Sequence, residues 1–91
     1  MKKYKVYAVD LHARKAYLET VTDNWDDYHL YTADIEFDVA EEHGEPVFFN
    51  FSISPDFFNE DTQERENVQG LCNWRQIQRQ TMNLLANELA C

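Results

Sequence analysis

From Tyr31 to Val39 the chain alternates without a fault. Tyr31, Ala33, Ile35, Phe37 and Val39 are apolar, while Thr32, Asp34, Glu36 and Asp38 between them are polar. Successive side chains of a strand point to opposite faces, so a period of two predicts a strand with one buried face and one wet face. A helix would wrap these residues around its whole circumference. The wet face of this strand is also chemically uniform, because three of its four residues are acids.

Neighbouring segments supply partners for that strand. Lys3–Leu11 (KYKVYAVDL) is rich in β-branched and aromatic residues and is expected as a first strand, apolar on both faces. Residues 12–15 are expected as a turn, although no glycine or Asn-Gly marks it. Ala16–Thr22 is expected as the returning strand, with a short helix over 12–21 as the alternative. Asp23–Tyr28 (DNWDDY) is turn chemistry, because Asp and Asn bond their own backbone. Glu41–Glu45 (EEHGE) is expected as a polar loop, in which Gly44 is free to take positive φ. In Val47–Ser54, the residues Val47, Phe49, Phe51 and Ile53 are expected on one face, with Asn50 and Ser52 on the other. Phe48 then stands out on the polar side, as an exposed anchor or beneath another element.

The last third of the chain has helical signals. Ser54-Pro55-Asp56 matches a capped helix start and is expected to open a short helical turn carrying Phe57 and Phe58. A second start is expected at Asp61 or Thr62, with Glu64 and Glu66 in its early turns. Leu71, Trp74, Ile77, Thr81, Leu84, Leu85 and Leu89 fall at three- and four-residue spacings, the stripe of an amphipathic helix. Gly70 is expected to break or kink the helix from what precedes it, and Cys72 to lie inside the helix. The fold expected is α+β: an antiparallel meander of about four strands over residues 3–54. Its apolar face would be covered by helical structure over 55–90 with the amphipathic C-terminal helix. Ninety-one residues make one domain.

Charge narrows the function. Ala16–Glu64 is 49 residues without lysine or arginine, and 14 of them are Asp or Glu. The eight basic residues flank that block, and the net charge is −9. Such a field attracts a cationic partner and repels nucleic acid and anionic membrane. A halophilic source would spread the acids evenly, whereas here the two signs are segregated. No segment has the apolar length of a signal peptide core or of a membrane span. Cys72 and Cys91 make neither a CxxC motif nor a disulfide framework, which points to a reducing cytoplasm.

Motifs for chemistry are missing or broken. His12, His29 and His43 are the candidate bases or ligands, and none has metal-ligand spacing. His29 stands near Asp26 and Asp27 in the sequence, but the expectation is a loop residue and no metal. Asp23–Asp27 superficially resembles a calcium loop, yet Tyr28 and Asp34 occupy the positions that need glycine and glutamate. No nucleophile elbow or phosphate-cradling loop is present, and no cofactor is implied. The chain is expected to be non-enzymatic.

The binding residues expected are Asp34, Glu36 and Asp38 on the strand, Glu41, Glu42 and Glu45 after it, and Asp23, Trp25, Asp26, Asp27 and Tyr28 before it. Same-face carboxylates on a strand repeat at roughly 6.6 Å, a pitch that can offer Lys and Arg a substitute for a phosphate row. Trp25, Tyr28 and Tyr31 among acids suit contact with arginine, although Trp25 could equally be a core residue. In size, acidity and lack of a catalytic signature the chain is similar to the small anti-CRISPR and anti-restriction inhibitors that phages deploy against host nucleases. That likeness is one of composition. It implies an inhibitor occupying a basic, nucleic-acid-binding surface of a host protein. Two alternatives stand beside it. One is an immunity protein neutralising a cationic nuclease toxin. The other is an assembly protein whose homo-oligomer buries Phe48, Phe57, Phe58 and the helix.

Overall fold

In the computed structural model, which describes residues 2–70 and 72–90, the alternating segment is the longest strand of a six-stranded antiparallel sheet. The strands are β1 (Tyr4–Asp10), β2 (Lys15–Thr20), β3 (Leu30–Glu42), β4 (Glu45–Ile53), β5 (Asp56–Asn59) and β6 (Glu64–Asn67). One helix follows, α1 (Trp74–Ala90). The strands run β1-β2-β3-β5-β6, and β4 pairs β3 beyond the reach of β5. The expected α+β architecture, an antiparallel sheet with the C-terminal helix packed on it, is the one observed, enlarged by a hairpin.

That hairpin is the main correction. Residues 56–67, expected as helical turns, are β5 and β6. The cap chemistry at Ser54 is present, since its Oγ accepts from the Asp56 backbone N–H at 3.2 Å. The chain nevertheless stays extended, because alternation serves Phe57 and Phe58 better than a helical turn. Phe57 is fully buried, and Phe58 lies on the other face beneath Arg65. Asn59 then turns the chain, its Oδ1 accepting from the N–H groups of Asp61 and Thr62 at 2.9 and 3.1 Å. Gln63 closes the turn at φ 62°. The first hairpin is built the same way. Asp10 Oδ1 accepts from His12 and Ala13, both at 3.0 Å, and Arg14 takes φ 55°. Residues 15–20 are therefore strand, and the helical alternative for 12–21 falls away.

The β3–β4 connection differs from the expected loop. The chain turns on two residues, His43 (φ 54°) and Gly44 (φ 82°), the paired positive φ of a tight hairpin turn. Glu41, Glu42 and Glu45 consequently belong to the strands. In β4 the expected face assignment holds for Phe51 and Ile53 and is reversed for Val47, Phe48 and Phe49. Register with β3 slips between Ser52 and Phe49, with Asn50 at φ 55°, which is a β-bulge. After the bulge Phe51 and Ile53 face the core. Before it the parity is the opposite, so Phe48 packs against the core and Phe49 is left 47 % exposed.

The core lies between the sheet and α1. Tyr4, Leu18, Tyr31, Ala33, Ile35 and Phe57 come from the strands, and Ile77, Thr81 and Leu85 from the helix. Trp74, Leu84 and Leu89 border it as the stripe requires. Leu71 lies outside the described residues. Cys72 precedes the helix rather than lying within it, is buried, and donates its thiol to the Val68 carbonyl at 3.3 Å. Asn73 docks the helix on the edge of β1. Its Oδ1 accepts from the Tyr4 N–H at 3.1 Å and its Nδ2 donates to the Tyr4 carbonyl at 3.2 Å. Gln80 adds a third tie, accepting from the Val6 N–H at 2.9 Å. No helix among the described residues is long and apolar enough to cross a membrane.

Candidate functional site

The alternation read from the sequence holds: Asp34, Glu36 and Asp38 are all exposed on β3, between buried Ala33, Ile35 and Phe37. Their partners are not what charge counting suggests. The β2–β3 register sets Lys15 directly opposite Asp34, and the two form an ion pair. Arg14 stacks its guanidinium 4.0 Å from the Phe37 ring centre and donates to the Phe37 carbonyl. Arg14, Glu36, Asp38 and Asn50 line one shallow hollow. Asp38 accepts from the Asn50 side chain at 3.0 Å. The first rung of the carboxylate row is thus neutralised and the second has a cation at its side.

Past Phe37 the picture changes. Pairing of β3 with β2 ends at Asp34, and only the β3–β4 ribbon continues to the turn. This ribbon is an acidic arm. Residues 38–49 carry Asp38, Glu41, Glu42 and Glu45 and no lysine or arginine. Strand alternation puts Asp38 and Glu42 on the outward face with Glu36, and register adds Glu45 across from Glu42. Apolar groups are interspersed: Val39, Val47 and Phe49 are 48, 40 and 47 % exposed. Sequence reading missed the apolar part, because only the bulge at Asn50 turns Phe49 outward.

The second group of expected residues lies at the other end of β3. Trp25–Asp27 forms a single 3-10 turn, which Asn24 caps by accepting from the Asp26 N–H at 3.0 Å. Asn24 also donates to the Asp27 carboxylate at 3.2 Å. Asp23, Asp26 and Asp27 are exposed, and Trp25 is 82 % exposed, so it is not a core residue. Its indole meets the Tyr28 ring edge-on at 5.3 Å. Tyr28 in turn donates to Glu19 at 2.7 Å, a bond that raises the pKa of its phenol. Thirteen residues of β3 separate this turn from the tip of the arm, roughly 40 Å of extended chain. The body measures 48 × 22 × 22 Å. The expected residues therefore form two surfaces at opposite ends rather than one site.

The histidines do not converge. His29 Nδ1 lies 2.9 Å from Asp61 Oδ2, not against Asp26 or Asp27. His12 and His43 are turn residues on different hairpins. Among the described residues no three His, Cys, Asp or Glu side chains are grouped to hold a metal ion. No protein-family model matches the chain, and no curated protein or solved structure matches it either.

Proposed function

We propose that this chain is a non-enzymatic acidic binding protein that occupies a basic, nucleic-acid-binding surface of a partner protein, as a phage inhibitor of a host nuclease system would. The observation that supports this is the arm: a two-stranded ribbon with four carboxylates and no basic residue, set on a rigid core. Glu36 extends the acidic row toward the body. The ribbon's narrow shape would let it enter a groove built for a nucleic-acid strand. Opposite charge would accelerate the encounter, and Val47 and Phe49 beside the acids would slow release.

Immunity against a cationic nuclease uses the same surface, and the two readings differ only in the partner. The assembly reading is weakened, because the aromatic groups it relied on are engaged within the chain. Phe57 is fully buried, Phe48 packs toward the helix and Phe58 lies under Arg65.

Nucleic-acid mimicry is tested by competition. Partner captured on immobilised protein from a host lysate should be displaced by duplex DNA or RNA at constant salt. It should also be lost as ionic strength rises, since screening shortens to about 8 Å near physiological salt. A partner that resists both nucleic acid and salt would contradict the proposal.

A further inference from the structure

The arm has one feature that charge alone does not explain: its β3 edge is open. The Ile35 N–H bonds Arg14 O at 3.0 Å, and the Phe37 carbonyl accepts from the Arg14 side chain on the same side. Arg14 thus ends the ladder. Backbone groups of a strand alternate sides, so Val39 and Glu41 next present their N–H and C=O groups along this edge, where β2 no longer runs. Asp38, Ala40 and Glu42 point theirs at β4, opposite Phe49, Val47 and Glu45. An unpaired edge of this kind is a template for another strand, and a two-stranded ribbon alone is marginal.

We propose that the β3 edge from Phe37 to Glu42 takes up an extended segment of the partner by strand addition, and that this segment carries a basic residue at every second position. The inference rests on the acidic-arm reading above and specifies how the arm binds. Alternation fixes the pattern. Side chains of an added strand that share the outward face would lie beside Asp38, Ala40 and Glu42, with Glu36 just beyond its end. Those on the opposite face would lie beside Val39, which is 48 % exposed, and beside Glu41. Cationic residues suit the first set, and in the second set an apolar residue suits the position beside Val39. A second copy of this chain is a poor occupant. It would bring two rows of carboxylates together, on molecules of net charge −9 each.

The probe is a short acetylated peptide alternating lysine and valine, titrated at low salt against the whole protein by fluorescence anisotropy. A backbone ladder uses only one of the two alternating sets of peptide N–H groups. N-methylation of that set should weaken binding by about tenfold or more, whereas methylation of the other set should change it by about twofold or less. Charge reversal of Glu36, Asp38 and Glu42 to lysine should abolish binding of the unmodified peptide. If both methylated peptides bind as well as the parent but all are released by salt, strand addition is overturned and the acidic-arm reading stands. If no form of the peptide binds, both fail. Sedimentation showing a dimer that Val39→Pro dissolves would assign the edge to a second copy and overturn the proposal.

Discussion

Asn50 is the residue on which the shape of the arm turns. At φ 55° it occupies the left-handed region, which costs most side chains about 1–2 kcal/mol and Asn less, and it places one extra residue in β4. That single insertion turns Phe48 inward and Phe49 outward. Glycine adopts the same backbone freely, whereas a β-branched side chain resists it. Asn50→Gly should therefore stay within about 0.5 kcal/mol of the parent in urea unfolding, and Asn50→Val should lose about 1–2 kcal/mol. Equal stability of the two variants would show that the bulge does not depend on this residue. The sequence holds no mark for it, because Asn50 reads as an ordinary polar position in an alternating strand.

At the scale of elements, β1, β3 and β5 meet α1 through a cluster of rings. Tyr4 packs edge-on to Tyr31 and Phe57, at 5.1 and 5.2 Å. Burial raises the pKa of both tyrosine phenols, and the nearby Glu66 carboxylate pushes them in the same direction. The neutral phenol is thus the form the fold favours. In the unfolded chain a tyrosine ionises near pH 10, so above that pH the unfolded state holds fewer protons than the folded one. Stability must then fall as pH rises. Tyr4→Phe should flatten this decline between about pH 10 and 12. An unchanged alkaline slope in thermal unfolding of that variant would contradict the assignment. These strands were legible where their faces differ in polarity, as in β3, and the helix where its stripe runs from Trp74 to Leu89. The β5–β6 hairpin was not. Ser54-Pro55-Asp56 carries true cap chemistry, and the turn at Asn59 uses a side-chain bond and a left-handed Gln63 in place of the usual glycine. Asp10 and Arg14 repeat that device at the first hairpin, so the signal is an Asp or Asn at the strand end rather than a glycine in the loop.

For the whole molecule, segregation of charge along the chain is only partly kept in space. Lys15 lies 19 positions before Asp34 in sequence and directly across from it in the sheet, a pairing that depends on the turn residues and cannot be read from composition. Folding also parts the acidic residues into the 3-10 turn at one end and the arm at the other. Partner binding is proposed to rest on the arm. The most direct measurement is therefore a comparison of two charge-reversed proteins with the parent, by the amount of partner each retains at low salt. Reversal of Glu36, Asp38, Glu42 and Glu45 to lysine should reduce retention by about a hundredfold or more, taking roughly 1 kcal/mol for each desolvated charge. Reversal of Asp23, Asp26 and Asp27 should leave retention within about threefold, through long-range steering alone. Full retention by the arm variant, with loss in the turn variant, would contradict binding through the arm and move the interface to Trp25 and Tyr28.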